Sequence, residues 1–468
     1  MLLPKPKGVT MLKKRLIAIF AISALTVAGQ VAVTASSEAA TKTITVASPW
    51  HDGGLEIWDA AIARFEKANP GINVISKGNQ DMAKSLADIN AGTGPDISVA
   101  NGPGNVGWFC ATGAWKNLNK LINSPTTGIK IKDIFPAAVN DYTISQGNRC
   151  ALPFTTEPIG MFYNKDLLLK AGFAKPPTTT EELLAYSKKL TTFDANGDIK
   201  TAGFVPWVGY NDYGFTANDL GNMFGAKWYK ADGTPALGTD PQWVKAFNWQ
   251  RTFIAQVFGG GDFAKGKTKL LKFVAGAGSP WGLNGDFPTG RAAIWIDAVW
   301  MIGLFCDPTE GWVMMPCNKP PVNFGVAPMP VVGALKSSLY GAARFGGNTM
   351  GIGRDTKNVA EAWKLIKFLA TDTQLQVDFA NYATQPPSTI AALNSKDLVY
   401  PAVYKPFIDI VKNKRSGYHK IMFVAEHLDE DELNNLMAAW QAGTVSNIST
   451  ALKDASANIA TIIARNSK

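Results

Sequence analysis

Residues 152–173 read LPFTTEPIGMFYNKDLLLKAGF and place a strand and a short helix in direct succession. The run from Ile159 to Tyr163 is short, bulky and continuously apolar, which is typical of a buried strand in a parallel sheet. Asn164 precedes the helix as its cap, and Gly172 ends it. The segment therefore predicts a strand that enters a covered sheet and leads directly into a helix.

The same alternation of strand and helix continues on both sides of this segment. Ile44 to Ala47 and Val74 lie in predicted strands, and Leu55 to Ala68 forms an amphipathic helix between them. Further along, Thr179 and Glu182 form a capping box at the start of another helix. Repeated βαβ units indicate an α/β fold with open, mostly parallel sheets, which bind ligands at the carboxyl ends of their strands.

Several further motifs lie along the chain in a recognisable order. They are Ile44 to Val74, Gly94 to Ile97, Tyr163-Asn-Lys-Asp166, Phe287 to Trp300, Gly325 to Pro330, Gly346 to Asn348 and Ala451 to Ala455. In this order the chain resembles the extracellular solute-binding proteins of family 1, the maltose-binding-protein-like substrate-binding components of carbohydrate ABC transporters. No single motif is diagnostic, so the resemblance depends on their collinearity.

The resemblance implies a two-lobed periplasmic binding protein type II fold, in which each lobe is a mostly parallel sheet flanked by helices and hinge strands join the lobes. The segment that begins at Leu152 would be the crossing from the first lobe to the second. The helical block from Val359 to Tyr382 would return to the first lobe, and the last helices would belong to the second. The implied ranges are 1–39 for a signal peptide, 40–152 with 344–392 for the N-terminal lobe, and 153–343 with 393–468 for the C-terminal lobe.

The first residues have the pattern of a secretion signal. A basic start at Lys13-Lys14-Arg15 precedes the apolar run from Leu16 to Ala28, and Ala39 and Ala35 end the two candidate cleavage sites. No cysteine lies near these sites, so we expect a periplasmic or secreted protein without a lipid anchor. Residues 1–39 carry five basic residues and one acidic residue, which leaves a net charge of about +5 on the rest of the chain. This mild, scattered charge excludes a nucleic-acid footprint.

The four cysteines are Cys110, Cys150, Cys306 and Cys317. An even number in an exported chain favours disulfides, and three pairings are possible. We expect the two local pairs, Cys110 with Cys150 and Cys306 with Cys317. Four reduced cysteines in the core are the alternative.

Motifs for nucleotides, metals and nucleophiles are weak. Gly261 to Thr268 has P-loop spacing but follows a predicted helix, and Gly102 to Gly107 lacks the acidic residue that a dinucleotide site needs about 20 residues later. Asp194 to Asp198 suggests a calcium loop, but its glycine position favours an Asn-Gly turn. The three histidines are not paired at metal-ligand spacing. We therefore expect no cofactor, no metal and no catalytic residue.

Tryptophan is the positive signal for a ligand, because flat rings stack on the apolar faces of sugars while fixed polar groups bind their hydroxyls. Trp58, Trp243 and Trp363 have helical spacing and are assigned to the core. Other tryptophans lie in predicted loops and are candidates for ligand contact, although ordinary packing is the better prediction for any single one. These loop tryptophans are Trp50, Trp207, Trp281 and Trp300.

The family resemblance implies roles for individual residues. Trp300 matches an aromatic residue that stacks on sugar in relatives, Glu157 matches a carboxylate that contacts sugar hydroxyls, and Asp297 replaces a small polar residue. Ala100 stands where maltose-binding relatives have an aromatic residue, so Asn101 is expected to contribute a hydrogen bond and a maltodextrin specificity is not implied. The full set of predicted ligand-binding residues is Trp50, His51, Asp52, Asn101, Glu157, Trp207, Trp281, Asp297, Trp300 and Asn348.

Together these features predict a monomeric binding protein that closes by a hinge on a mono- or oligosaccharide and delivers it to the membrane permease subunits of an ABC importer. Two alternatives remain open. A secreted glycosidase would use Glu157 and Asp297 as paired carboxylates. A binder of another solute, such as a peptide or a polyamine, would have the same fold.

Overall fold

The structure is a computed structural model that describes residues 41–145, 147–210, 214–280, 284–306, 320–417 and 428–466. The predicted signal peptide, Trp281 and Cys317 lie outside these residues, so the expectations for them stay predictions. The strands are β1 Lys42–Ala47, β2 Ile72–Lys77, β3 Ile97–Asn101, β4 Ile144–Ser145, β5 Asn148–Arg149, β6 Ala151–Pro153, β7 Glu157–Asn164, β8 Thr192–Phe193, β9 Ile199–Thr201, β10 Ile294–Ala298, β11 Phe324–Ala327, β12 Phe345–Gly346 and β13 Asn348–Ile352.

The helices alternate with these strands in the first half of the chain and dominate the last quarter. They are α1 Asp52–Ala68, α2 Met82–Asn90, α3 Pro103–Ala111, α4 Asn119–Ile122, α5 Ile131–Ile134, α6 Ala137–Asp141, α7 Lys165–Lys170, α8 Thr180–Leu190, α9 Ala217–Met223, α10 Pro241–Phe258, α11 Phe263–Ala275, α12 Met301–Cys306, α13 Lys336–Leu339, α14 Val359–Thr371, α15 Thr373–Ala383, α16 Ile390–Leu393, α17 Lys405–Lys412, α18 Leu428–Ala442 and α19 Ile448–Asn466. Short 3₁₀ turns lie at Gly333–Leu335 and Ala402–Tyr404.

The first sheet has the strand order β2-β1-β3-β13-β6. β1 runs parallel to β2 and β3, as the βαβ pattern predicts, whereas β13 runs antiparallel to β3 and β6. α1 buries Trp58, Ile62 and Phe65 and packs against α15, and α14 packs against β13. The block after Val359 therefore contacts the first sheet, and its return to the first lobe stays a prediction.

The second sheet corrects the prediction of parallel pairing. β7 is its central strand and lies between β10 and β11, and both neighbours run antiparallel to it, as does β12. Ile159 and Phe162 are buried as expected, because α17 and α7 cover this sheet. An apolar run marks burial on both faces but carries no information on the direction of the neighbouring strand.

The caps of α7 and α8 and the glycine after α7 lie where the sequence predicts them. The Asn164 side chain accepts hydrogen bonds from the backbone N–H groups of Asp166 and Leu167 at the start of α7, and Gly172 follows that helix with φ of +86°. Thr179 and Glu182 form the predicted capping box of α8. α10 then packs against α8, α9, α11, α18 and α19, and the place of the last helices in the second lobe stays a prediction.

A disulfide joins Cys110 at the end of α3 to Cys150 just before β6, which confirms the first predicted pair. The second pair includes Cys317, so it stays a prediction. Within the described ranges, none of the helices combines the length and the apolar character that a membrane span requires.

Two short connections carry the chain between the sheets. Residues 154–156, the first crossing, join β6 of the first sheet to β7 of the second, and Gly347, the return crossing, joins β12 to β13. A third segment, the 384–389 loop between α15 and α16, lies against the first crossing, because the N–H of Thr156 donates to the Pro386 carbonyl at 2.9 Å. These three segments form the junction at which the candidate site is found.

Candidate functional site

The two crossings are in direct contact. The N–H of Phe154 donates to the carbonyl of Asn348 at 2.8 Å, and a Cβ on Gly347 would lie only 1.9 Å from the carbonyl oxygen of Thr155. Gly347 has φ of +155°. Glycine is therefore required here by the close approach of one backbone to the other.

Strand register places several predicted loops at this junction. Ala47 at the end of β1 pairs with Ser98 in parallel β3, and Asn101 at the end of β3 pairs with Asn348 at the start of β13. The carboxyl ends of β1 and β3 therefore lie at the same edge of the sheet as the return crossing. This is the edge at which open α/β sheets bind ligands.

Glu157 is the carboxylate of the junction. It opens β7 opposite Gly346, and its Oε1 accepts hydrogen bonds from Gln385 Nε2 at 2.7 Å and Asn348 Nδ2 at 3.2 Å. Asn348 is almost fully buried and donates also to Thr155 Oγ1 at 2.8 Å. Glu157 as a whole residue is half-buried. Among the described residues, none donates a hydrogen bond to its second oxygen.

Burial raises the pKa of Glu157 to about 7, and the hydrogen bond from Asn348 only partly opposes this rise. The nearby Tyr142, whose hydroxyl donates to the Thr155 carbonyl at 2.8 Å, has its pKa raised by burial and by the charge of Glu157. A carboxylate that is costly to ionise at neutral pH gains from any donor that a ligand brings to it.

Trp300 lies beside the entrance of β7. Ala298 pairs with Ile159, and the N–H of Val299 donates to the Pro158 carbonyl at 3.0 Å, so the backbone at Trp300 lies near the backbone at Glu157. The ring is half-buried, and its Nε1 is buried with no acceptor among the described residues. The segments that carry the Trp300 ring and the Glu157 carboxylate thus lie side by side at one edge.

Asp297 is placed differently from Glu157. It lies in β10 opposite Gly160, is only 1% exposed, and accepts hydrogen bonds from Trp295 Nε1 at 2.9 Å and from the N–H of Ala298 at 2.7 Å. Burial raises its pKa to about 7 against these two hydrogen bonds. Both of its oxygens have protein partners, so its role as a ligand contact stays a prediction that this geometry does not favour.

The loop from Trp50 to Asp52 follows β1. Trp50 is half-buried, and its ring packs edge-on against Phe379 at 4.7 Å between centroids and lies 5.9 Å from Phe154 of the first crossing. Its Nε1 is buried without an acceptor among the described residues. His51 and Asp52 are exposed and pair with each other at 2.8 Å, and Asp52 has φ of +46°, which is strained for a residue other than glycine.

The remaining predicted residues occupy separate places. Asn101 is exposed at the end of β3, and its carbonyl accepts from Asn105 Nδ2. Trp207 is half-buried in a turn whose next residue, Val208, bonds to the Gln441 side chain of α18 through both its N–H and its carbonyl. Among the described residues, no hydrogen bond or ring contact joins Trp207 to the junction, and Trp281 lies outside the described residues.

Sequence reasoning missed Gln385 and Thr155. Both carry polar side chains into the junction, where they bond to Asn348, and Gln385 also bonds to Glu157. Gln385 precedes Pro386-Pro387, a rigid pair directly after a helix, and this could have marked it as a fixed polar position.

The weaker motifs of the sequence have ordinary structural explanations. In the segment from Gly261 to Thr268, Asp262 caps α11 and residues 263–268 lie in that helix, so the segment follows α10 and not a strand. Asp194 accepts hydrogen bonds from the N–H groups of Asn196 and Asp198 in the turn between β8 and β9. In the part of the chain that is described, no cluster of three or more His, Cys, Asp or Glu side chains could hold a metal ion.

Comparison with known proteins points to one family. Residues 49–376 match the model of the bacterial extracellular solute-binding protein family. The maltotriose-binding protein of Pyrococcus abyssi is 22% identical over 362 residues, which cover 76% of this chain and 69% of that protein. The maltooligosaccharide ABC transporter solute-binding lipoprotein of Streptococcus pneumoniae R6 is 25% identical over 364 residues, 76% of each chain.

Solved structures share the fold. CpMnBP1 with mannotriose bound superposes with a TM-score of 0.67 at 23% identity, over 90% of this chain and all of that one. The cyclic α-maltosyl-1,6-maltose binding protein of Arthrobacter globiformis superposes with a TM-score of 0.68 at 18% identity, over 90% of this chain and 99% of that one. These likenesses confirm the predicted two-lobed α/β fold.

Proposed function

Because this chain belongs to the bacterial extracellular solute-binding protein family, we propose that it is the solute-binding component of an ABC importer and that its ligand is a mono- or oligosaccharide. The observation that carries the proposal is that the segments of Trp300 and Glu157 lie side by side at the junction of the crossings. A sugar presents apolar C–H faces to an aromatic ring and hydroxyl groups to a carboxylate. The relatives named for maltotriose and maltooligosaccharides support this class of ligand.

The mechanism follows from the position of the site between the two sheets. Hinge closure around the ligand is the behaviour of periplasmic binding proteins in general. A ligand that contacts Glu157 and Trp300 on one side and the Trp50 loop on the other stabilises only the closed state, and such differential affinity is what shifts the population. Micromolar affinity needs about 8 kcal/mol, which a stacked ring and several hydrogen bonds can supply.

The proposed ranges of the two lobes are those expected from the sequence, 40–152 with 344–392 and 153–343 with 393–468. The crossings between β6 and β7 and between β12 and β13 support the first two changes of lobe. Membership of this extracellular family supports a location outside the cytoplasmic membrane and permease subunits as partners. The pneumococcal relative is a lipoprotein, whereas here no cysteine lies near either candidate cleavage site, so we propose a periplasmic or freely secreted form.

A glycosidase is the weaker candidate. Paired-carboxylate hydrolysis requires both groups to face the glycosidic bond. Glu157 keeps partial exposure at the junction, but Asp297 is buried and has a protein donor on each oxygen. The pair therefore favours binding without turnover.

The test is the replacement Trp300→Ala, assayed by calorimetry and tryptophan fluorescence against maltotriose, mannotriose, a monosaccharide panel, peptides and polyamines. Loss of the stacking ring should weaken sugar binding more than tenfold while the melting temperature changes little. Trp249→Ala is the matched control, because Trp249 is also half-buried but packs on Phe224 and Phe253 in the α10 region. A protein that responds to amines or peptides and to no sugar would contradict the proposal.

A further inference from the structure

The 384–389 loop has an unusually fixed backbone where it meets Glu157. Thr384 ends α15 in the left-handed conformation, with φ of +56°, and is fully buried. Pro386 follows Gln385 directly, and its carbonyl accepts both the N–H and the hydroxyl of Thr156 at 2.9 and 3.0 Å. Gln385 is thus held between a strained residue and a proline that is bonded to the first crossing, which leaves its backbone little freedom.

The side chains of Gln385, Asn348 and Glu157 form a closed triangle. Gln385 Nε2 donates to Glu157 Oε1 at 2.7 Å, and Asn348 Nδ2 lies 3.2 Å from both Glu157 Oε1 and Gln385 Oε1. One N–H of Asn348 bonds to Thr155 Oγ1 at 2.8 Å, so these two oxygens share the other N–H. In this orientation the amide nitrogen of Gln385 faces the carboxyl oxygen, which suits the ionised form of Glu157, because an ionised carboxylate only accepts hydrogen bonds. Each corner comes from a different segment of the chain: β7, β13 and the 384–389 loop.

This triangle occupies one oxygen of Glu157 with two donors. Rotation of the carboxylate would break both hydrogen bonds, of which the one from Gln385 is 2.7 Å long and is charge-assisted when Glu157 is ionised. The second oxygen is therefore held in one direction, and the described residues offer it no donor. An acceptor oxygen whose direction is already fixed can take a hydrogen bond from a ligand without a further loss of conformational freedom.

We propose that Gln385 is a positioning residue, which fixes one oxygen of Glu157 so that the other faces the ligand and selects a neutral hydroxyl donor at that point. The inference rests on the proposed function for the identity of the ligand. The orienting role of Gln385 itself does not depend on which sugar binds. An anionic group on a ligand would meet the Glu157 carboxylate and be rejected there.

The first experiment needs no ligand. The titration of Glu157 is followed by ¹³C NMR of the carboxyl carbon, with Glu157→Gln used to assign the signal, in the full-length protein and in Gln385→Leu. Leucine keeps the bulk but cannot donate, and loss of a donor to the charged form should raise the titration midpoint by about one pH unit. Gln374→Leu is the matched control, because Gln374 donates to Asp378 at the same 2.7 Å but on the exposed face of α15.

The second experiment measures affinity for maltotriose and mannotriose. Gln385→Leu should weaken binding by about tenfold, and the same change made in a Glu157→Gln background should weaken it by less than about twofold, because the effect passes through the carboxylate. Gln374→Leu should leave binding unchanged.

The outcomes separate the inference from the function on which it rests. An unchanged titration midpoint in Gln385→Leu overturns the inference, and so does an equal loss of affinity with and without Glu157. A wild-type protein that binds neither probe while the midpoint shifts as expected supports the orienting role and contradicts the choice of sugars.

Discussion

Replacing Glu157 by Gln should make the unliganded protein more stable above neutral pH. Burial raises the pKa of this carboxyl from 4.5 to about 7, so the folded protein bears a cost when the group ionises. The amide has nearly the same shape, can turn its oxygen towards Gln385 and Asn348, and carries no charge. The replacement therefore removes the cost and keeps an acceptor for both donors.

The sign and size of the effect follow from proton linkage. Between pH 4.5 and about pH 7 the folded protein holds a proton on Glu157 that the unfolded chain has released, so stability falls as pH rises through this window. The difference between the two pKa values corresponds to a loss of about 3 kcal/mol of unfolding free energy once Glu157 is fully ionised in the folded protein. Below about pH 4.5 the wild type and Glu157→Gln should differ little, and above about pH 7 the variant should be more stable by up to that amount.

The assay is equilibrium urea unfolding at pH values from about 4 to about 8.5, read by circular dichroism, with the difference in unfolding free energy plotted against pH. Glu182→Gln is the control, because its effect on the unfolding free energy should have the opposite sign. Burial acts to raise the pKa of Glu182, but the hydrogen bonds from Thr178 and Thr179 and the charge of Lys336 together outweigh it and lower that pKa. Glu182 therefore stabilises the fold above its ordinary pKa, and its removal should destabilise at neutral pH and matter less as pH falls.

A flat difference curve for Glu157→Gln, or a variant less stable than the wild type at about pH 8, would refute the reasoning. The same variant should bind sugar more weakly, because an amide accepts a hydroxyl less strongly than a carboxylate does. Greater stability combined with weaker binding is the expected signature of a residue that is retained for function.

Two further predictions concern the framework of the junction. Gly347→Ala should lower the unfolding free energy by more than about 2 kcal/mol, because its Cβ would lie 1.9 Å from the Thr155 carbonyl oxygen. Gly71→Ala is the control, because a Cβ at Gly71 would point into open space. Equal urea midpoints for the two variants would contradict the expectation. Joint replacement of Cys110 and Cys150 by serine removes a loop closure of 40 residues and should cost about 4 kcal/mol in the same assay, and an unchanged midpoint would show that the disulfide does not constrain the unfolded chain.

The sequence predicts best those features that depend on a few neighbouring residues. The Asn164 cap, the Thr179 capping box and the end of α7 near Gly172 all appear as expected, because each is a bond or a dihedral angle within one turn of the chain. The direction of β7 is not of this kind. Its partners β10 and β11 lie far along the chain, and a strand covered on both faces has the same apolar sequence in either orientation.

Asp297 lies at the end of a strand as the sequence predicts, but its carboxylate bonds to the protein and not to an open cleft. Its place at the end of an apolar strand suggests a carboxylate at a cleft. Residues two apart in a strand share a face, so Trp295 lies on the same side, and its indole N–H is bonded to the carboxylate in the buried layer. The spacing of these two residues in β10 is the signal that would have indicated a buried hydrogen bond.

Glu157 could be proposed from the sequence as a polar contact, but its orientation could not. The direction of its second oxygen depends on Asn348 and Gln385, which lie 191 and 228 residues away and reach the junction only after the crossings are formed. No pattern of neighbouring residues predicts hydrogen bonds between three segments that lie far apart in the sequence, because in the unfolded chain each of these side chains is free to adopt many conformations in water. The chemistry of this site is therefore a property of the junction, and a change at any of the three segments should alter how Glu157 meets its ligand.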